Sequence, residues 1–372
     1  MSIFCKAAIT IGNGDFFIEQ IEIKDPAPDE ILVKVKAAGI CHTDFDSLSW
    51  GSPLVLGHEG AGIIAKLGKS IKGFDIGDSV LLNWAVPCGR CYQCQEGNLH
   101  ICERHSPVCG PPGFESNGHA SKNSTLWNGR PIARSFHLGT LAEYVLVKEA
   151  AVVKNDSPNM SFEAASLIGC GVMTGYGSVV NAARVKPASS VVVLGSGGVG
   201  LSVIQGAKIA GASKIIAVDI NRNRLKLAEK FGATHTIQAN RADEGLLTVA
   251  AEVKRITQQR GADYAFECTA VPALGAAPLA MIRNAGTAVQ VSGIEQTITF
   301  DMNLFEWDKV YINPLYGKCR PHIDFPKIVQ LYDGGQFLLN EMVSKTYALE
   351  ELTQAFADML NGKNAKGVIT FK

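Results

Sequence analysis

The chain carries no excess of charge of either sign. Its 372 residues hold 35 Lys and Arg against 35 Asp and Glu, for a formal net charge of zero. That balance argues against a broad basic face for nucleic acid or an anionic membrane. Long apolar runs are also lacking: none approaches the roughly 18 residues of a bilayer-spanning helix. The opening MSIFCKAAITIGNGD has neither the basic start nor the apolar core of a leader peptide. Low-complexity segments and repeats are missing too. With 47% hydrophobic residues and 19% charged ones, the composition is that of a globular protein, expected in the cytoplasm. Without export signals, the 10 cysteines point to metal ligands or free thiols rather than disulfides. The length suits two domains of about 150 residues each.

One stretch organises the rest. Four apolar residues, Val191 to Leu194, run into Gly195, Gly197 and Gly200, which fit G-x-G-x-x-G with Gly198 and Val199 inside the turn. A helical stretch follows, then a second apolar run, K-I-I-A-V, ending in Asp219. In such a strand–turn–helix the first glycine permits the turn, the second lets a pyrophosphate approach the backbone, and the third lets helix and strand pack closely. The helix N-terminus supplies free N–H groups to phosphate. Asp219 stands where a carboxylate holds a ribose 2′-OH and repels a 2′-phosphate. The stretch therefore predicts a bound dinucleotide, NAD rather than NADP.

Around it the chain changes style twice. Up to about residue 150, glycine and proline punctuate short strand-like runs such as I31-L-V-K-V-K-A, and helical periodicity is scarce. Ser161 is placed to cap a helix that opens at Phe162. From 191 to about 300, apolar runs at Val191–Leu194, Ile215–Val218, Tyr264–Cys268 and Ala288–Val291 alternate with helical segments, which implies a parallel sheet covered on both faces. Beyond 316 helical stretches near Phe325 and Glu350 lead to a last strand, G367-V-I-T-F. A nucleotide-binding domain thus reads as inserted into a β-rich one.

Cys88, Cys91, Cys94 and Cys102 follow the spacing C-x2-C-x2-C-x7-C. Four thiolates close a tetrahedral zinc shell and leave no place for substrate, so the loop reads as a structural zinc site; an iron–sulfur cluster uses the same ligand count, and unpaired thiols are the bland alternative. Cys109 is a decoy just beyond. Cys5, Cys268 and Cys319 lack metal-like spacing and read as buried thiols.

The motifs G-I-C41-H-T-D, L-G-H58-E-G-A-G, the four-cysteine loop, G-C170-G-V-M-T-G-Y-G, G-S-G-G-V-G, V-D-I-N and the closing G-V-I-T-F together resemble the zinc-dependent medium-chain alcohol dehydrogenases over essentially the whole chain. The resemblance implies an α/β protein: a GroES-like β-rich catalytic domain, 1–171 and 316–372, plus a Rossmann doubly wound parallel sheet at 172–315. It implies two zinc ions per chain, a catalytic one on Cys41, His58 and Cys170 and a structural one on the four-cysteine loop. The implied reaction is reversible oxidation of a primary alcohol, aliphatic or aromatic, by hydride transfer from a zinc-bound alkoxide to NAD. Thr43 matches the hydroxyl that takes the alcohol proton, Asp44 the acid that orients His58, and Glu59 the acid behind the metal. His42 and Lys366 match basic contacts to the pyrophosphate, Thr174 and Val199 the nicotinamide side, and Arg224 a basic contact near the adenosine ribose. For His42, Arg224 and Lys366 an ordinary charged side chain is the alternative.

Some positions depart from the family. Asp46 stands where many members end a proton relay with histidine, so protons leave through its carboxylate or through ribose hydroxyls and water. The segment between Cys41 and His58 is short. Trp50, Trp84 and His137 match substrate-pocket positions, against the alternatives of core aromatics and a surface histidine, and suit a bulky or aromatic alcohol. Rival readings are a dehydrogenase of S-(hydroxymethyl)thiols, a polyol dehydrogenase, disfavoured by Cys170, and a non-catalytic dinucleotide-binding relative. The resemblance implies a homo-oligomer, a dimer or a tetramer; the segment 103–140 resembles that of dimeric members, which favours a dimer, paired near the last strand of the nucleotide-binding sheet at 298–314.

Overall fold

The computed structural model describes residues 2–109 and 124–372. The chain divides into two compact units, Met1–Cys170 with Arg320–Lys372, and Gly171–Cys319. The expected division at 171/172 and 315/316 thus falls at 170/171 and 319/320. The shift has a packing cause. A side chain at Gly317 would collide with the Gly177 backbone and the Met173 carbonyl, and Asn181 Nδ2 donates to the Gly317 carbonyl at 3.3 Å. These contacts hold 316–319 to the second unit.

The first unit is built on two sheets. In the larger, the strand Glu30–Gly39 is central. It pairs with Gly60–Leu67 on one side and with Tyr144–Lys148 and the C-terminal strand Lys366–Thr370 on the other. Its sequence alternates, yet eight of its residues are buried and only Lys34 and Lys36 are half-buried, because both faces are covered. The smaller sheet joins Ile3–Thr10 antiparallel to Phe16–Ile23. The helix Phe162–Leu167 starts as expected, with Ser161 Oγ accepting from Ala164 N at 3.2 Å. It passes into a π-helical turn, Ile168–Val172, the kind of irregularity that re-aims side chains at functional sites.

The second unit is a six-stranded parallel sheet. Its spatial order runs His235–Gln238, Lys214–Asp219, Ser190–Leu194, Ala262–Glu267, Ile282–Gln290, Val310–Ile312. This is the doubly wound order 3-2-1-4-5-6, whose switch point lies between the first and fourth strands in chain order. The apolar runs predicted as strands all sit in it. The strand His235–Gln238 was not anticipated: H-T-I-Q is short, polar and at the sheet edge, so it carries no apolar signature. Val192, Leu194, Ile216, Val218 and Ala265 form its core with the helix Leu247–Ile256. Among the described residues no helix is long and apolar enough to cross a membrane. Residues 110–123, part of the segment behind the dimer expectation, lie outside the described residues.

Candidate catalytic metal site and cofactor turn

The central strand ends at Gly39, and Cys41 caps the short helix His42–Asp46. Asp44, fully buried, does two things with one carboxylate. Oδ2 accepts from the Cys41 backbone N at 3.0 Å, which closes the first turn of the helix. Oδ1 lies 2.7 Å from His58 Nδ1, which fixes the imidazole so that Nε2 is the free ligand atom. Ligand atoms of Cys41, His58, Glu59 and Cys170 lie within 4.8 Å of one another. Three of these four are the ligands that the resemblance implied, brought together from a helix cap, a turn and the π-helical stretch.

The electrostatics favour a thiolate beside a protonated imidazole, whose proton a bound metal would displace. The Cys41 thiol is held well below its ordinary range, first by the sulfhydryl of Cys170 and then, against burial, by His58. Cys170 is correspondingly raised by Cys41 and by burial. Burial pulls His58 down, but the Asp44 carboxylate outweighs it and leaves the imidazole well above its ordinary value. Two buried thiols and one oriented imidazole are the donors that zinc takes in a site with an open position, so the residues fit the metal.

Glu59, fully buried, stands beside this set, and burial raises its carboxyl despite an opposing cation. That cation is Lys366. Its Nζ lies 2.7 Å from Glu59 Oε1 and donates to the Ile40 carbonyl at 3.0 Å. Lys366, expected to reach a pyrophosphate, is thus buried on the acid behind the metal set. A side chain at Gly39 would collide with the Glu59 carboxylate. Thr43 Oγ1 sits 3.8 Å from Cys41 Sγ; His42 and Asp46 are exposed.

Aromatic rings cover one side of His58. The Phe136 ring centroid lies 4.8 Å from the His58 ring, 5.3 Å from Trp84 and 6.2 Å from Trp50. Trp84 is buried and Trp50 half-exposed. His137, the expected pocket residue, instead has Nε2 3.0 Å from the His105 carbonyl and is buried. The exchange follows from the backbone: Phe136 and His137 both adopt left-handed conformations, φ 50° and 66°, so the chain rotates by one side chain here. Sequence reasoning missed Phe136, and nothing in S-F-H-L-G marks the turn.

In the four-cysteine loop, Cys91 caps the short helix Tyr92–Gln95. Its Sγ lies 3.9 Å from that of Cys102, close to the ~3.8 Å edge of a tetrahedron with 2.3 Å zinc–sulfur bonds. Cys88 Sγ and Cys102 Sγ accept backbone N–H groups of Cys91 and Cys88, each at 3.3 Å. Burial opposes ionisation of Cys88, but backbone N–H groups at Arg90 and Cys91 bring its thiol down to about 7. Burial and the neighbouring thiols push Cys94 up to about 12. Four thiolates coexist only around a cation, and these residues fit zinc.

In the second unit the glycine turn has the expected build. Gly195 has φ 87°. A side chain at Gly200 would collide with the Gly195 carbonyl, whereas nothing lies within 4 Å of the Cβ position at Gly197. The helix Gly198–Ile209 starts there with no side-chain cap, so its first N–H groups are free for phosphate. Asp219, at the end of its strand, accepts from Ser196 N and Asn221 N at 2.8 Å each. Each oxygen retains a lone pair for a ribose hydroxyl. Arg224 Nη1 is 4.0 Å from Asp219 Oδ2. Thr174 and Val199 are half-buried, and a side chain at Gly175 would collide with the Val199 carbonyl. These residues fit a dinucleotide.

Residues 27–158 match the alcohol dehydrogenase GroES-like domain, and residues 198–332 the zinc-binding dehydrogenase domain. Alcohol dehydrogenase B of Mycobacterium tuberculosis is 34% identical over 372 residues, covering 96% of each chain. S-(hydroxymethyl)glutathione dehydrogenase of Escherichia coli is 33% identical, covering 98% of this chain and 99% of its own. The crystal structure of benzyl alcohol dehydrogenase from Acinetobacter calcoaceticus matches with a TM-score of 0.87 at 33% identity, over 100% of both chains. The chain belongs to the zinc-binding alcohol dehydrogenases of the medium-chain dehydrogenase/reductase family and is an oxidoreductase of that family.

Proposed function

We propose that the protein is an NAD-dependent dehydrogenase of primary aromatic alcohols, with Cys41, His58 and Cys170 holding a catalytic zinc and Cys88, Cys91, Cys94 and Cys102 a structural one. The observation that carries the substrate class is the aromatic wall: Phe136 on His58, flanked by Trp84 and Trp50. Zinc, when bound, lowers the pKa of an alcohol hydroxyl, and NAD accepts the hydride. The chain's own residues do the rest. Asp44 holds His58 in one tautomer and orientation. The Thr43 hydroxyl, beside Cys41, takes the alcohol proton and passes it outward, and exposed Asp46 lies on the same short helix to receive it. The wall of rings orients an aryl alcohol by edge and face contacts and keeps water from the reacting carbon. Asp219 selects NAD over NADP, and the Gly195–Gly200 turn holds the pyrophosphate.

The second reading, an S-(hydroxymethyl)thiol dehydrogenase, draws on the Escherichia coli relative. Such a substrate carries carboxylates, for which the aromatic wall offers no partner. The test is the initial rate of NADH formation with benzyl alcohol, hexanol, ethanol and S-(hydroxymethyl)glutathione. Benzyl alcohol leading in kcat/KM, with activity lost to a zinc chelator, supports the proposal. S-(hydroxymethyl)glutathione leading by tenfold or more refutes it.

A further inference from the structure

The dinucleotide turn lies at the carboxyl ends of the parallel strands in the second unit. The opposite edge, where the strands begin, holds a cavity of about 590 Å³. Its lining brings five cationic side chains, Arg184, Lys186, Lys214, Arg260 and Arg283, to one place from four separate segments, against a single carboxylate, Asp263.

Part of this charge has a structural use. Lys214 Nζ donates to the Ile256 carbonyl at 3.1 Å, the usual role of a cation at a helix C-terminus. Arg283 Nε donates to Asp263 Oδ1 at 2.7 Å, and the other oxygen of Asp263 accepts Ser190 N and Oγ at 2.8 Å. The sole acid is therefore consumed. The hydroxyls of Ser189, Ser213 and Thr257 donate to nearby carbonyls.

Arg184, Lys186 and Arg260 remain. Among the described residues neither the Arg184 guanidinium nor the Lys186 ammonium has a hydrogen-bond or ion-pair partner. Arg260 makes one contact, Nη2 to Gln258 Oε1 at 3.4 Å. Three of the lining residues, Arg184, Ala188 and Ala285, have φ of 51°, 63° and 53°, a region that non-glycine residues avoid. Such conformations persist only where the surroundings fix them, and they collect at ligand clamps.

We infer that this cavity is a second binding site, for a small phosphate-bearing anion, separate from the dinucleotide turn. Guanidinium groups engage phosphate through two parallel N–H donors, and the ammonium adds a point charge. Because the remaining cations come from two segments, Arg184 with Lys186 on one and Arg260 on the other, a ligand with two phosphate groups engages more of them than one with a single phosphate.

The test uses the full-length, zinc-loaded chain with NAD at saturation, so that the glycine turn is occupied. Inorganic phosphate and fructose 1,6-bisphosphate are titrated calorimetrically at constant ionic strength set with sodium chloride. The variants are K186A/R260A, both exposed positions, and K72A, an exposed lysine of the first unit, as a control for lost charge. Expected are one bisphosphate bound per chain, at least tenfold weaker binding in K186A/R260A and no change in K72A. Bisphosphate at least fivefold tighter than phosphate assigns an organic bisphosphate; equal affinities assign free phosphate, and both support the site. No binding, or equal affinity in wild type and K186A/R260A, overturns it. Anion held at the glycine turn would be insensitive to K186A/R260A, so a failure of the proposed NAD site does not imitate success.

Discussion

Lys366 and Glu59 form the most consequential pair in the first unit. They lie 307 positions apart in sequence and meet at 2.7 Å with the carboxylate fully buried and the lysine 8% exposed. Replacing Lys366 with methionine keeps the stem's packing and removes only the charge. The Glu59 carboxylate is then buried without its cation, and breaking a buried pair on one side costs about 3–5 kcal/mol. K366M should lose that much stability at pH 8. Burial already raises the Glu59 carboxyl, and loss of Lys366 raises it further. An acid raised in the folded state loses stability as pH climbs from its unfolded pKa, ~4.3, through the folded value. The deficit of K366M should therefore be smaller at pH 5.5 than at pH 8. The double variant E59Q/K366M should recover ~2–3 kcal/mol relative to the sum of the singles, since neither charge is then stranded. Urea unfolding at fixed zinc and NAD concentrations reads all four proteins, with ligands fixed because binding shifts the midpoint. A K366M cost below about 1 kcal/mol, independent of pH and additive with E59Q, would show that Glu59 is not held as a buried charge by Lys366.

Three further outcomes follow from other parts of the structure. F136A should raise KM for benzyl alcohol about 3- to 10-fold, the worth of one aromatic pair, and leave ethanol nearly unchanged; equal losses for both alcohols would show that Phe136 only supports the scaffold. C94S should remove one of two zinc equivalents by mass spectrometry while leaving NAD affinity in place; retention of both metals would remove the four-cysteine loop from the zinc assignment. Asp263 is held below the ordinary carboxylate range. Burial opposes this, but the Ser190 amide and Arg283 prevail. Its stabilisation is present above the unfolded value of ~3.9 and is lost as pH falls through the lower folded value. D263N should therefore destabilise at pH 7 by about 1–2 kcal/mol and approach wild type below pH 3; a pH-independent deficit would contradict that origin.

What was legible in the sequence was whatever depends on short spacing. The glycine turn, the four-cysteine loop, the Ser161 cap and the apolar runs of the parallel sheet each sit inside a few residues, and local rules govern them. The ligand set Cys41, His58 and Cys170 came from resemblance, because no spacing rule joins a helix cap, a turn and a distant π-helical stretch. Resemblance also identified Asp44 as the orienting acid, but not that its second oxygen caps the helix carrying Cys41. One aspartate thereby couples the position of the Cys41 thiol to the orientation of the His58 imidazole.

The two placements that sequence reasoning did not reach share a cause: each is fixed by backbone direction rather than by residue type. Phe136 faces His58 because two successive non-glycine residues take left-handed conformations, and either neighbour could have turned inward by chemistry alone. Lys366 opens an otherwise apolar strand, K-G-V-I-T, whose register places Val368 opposite Gly39. That register, set by the final strand's pairing with the central one, carries the ammonium to Ile40 and Glu59. A lone lysine at the head of a buried strand is itself a signal, since a buried cation requires an anion, and Glu59 beside His58 was the acid in greatest need of one. The closing strand thus completes the electrostatic shell around Cys41, His58 and Cys170, which ties the stability of the chain's end to the charge state of this candidate site.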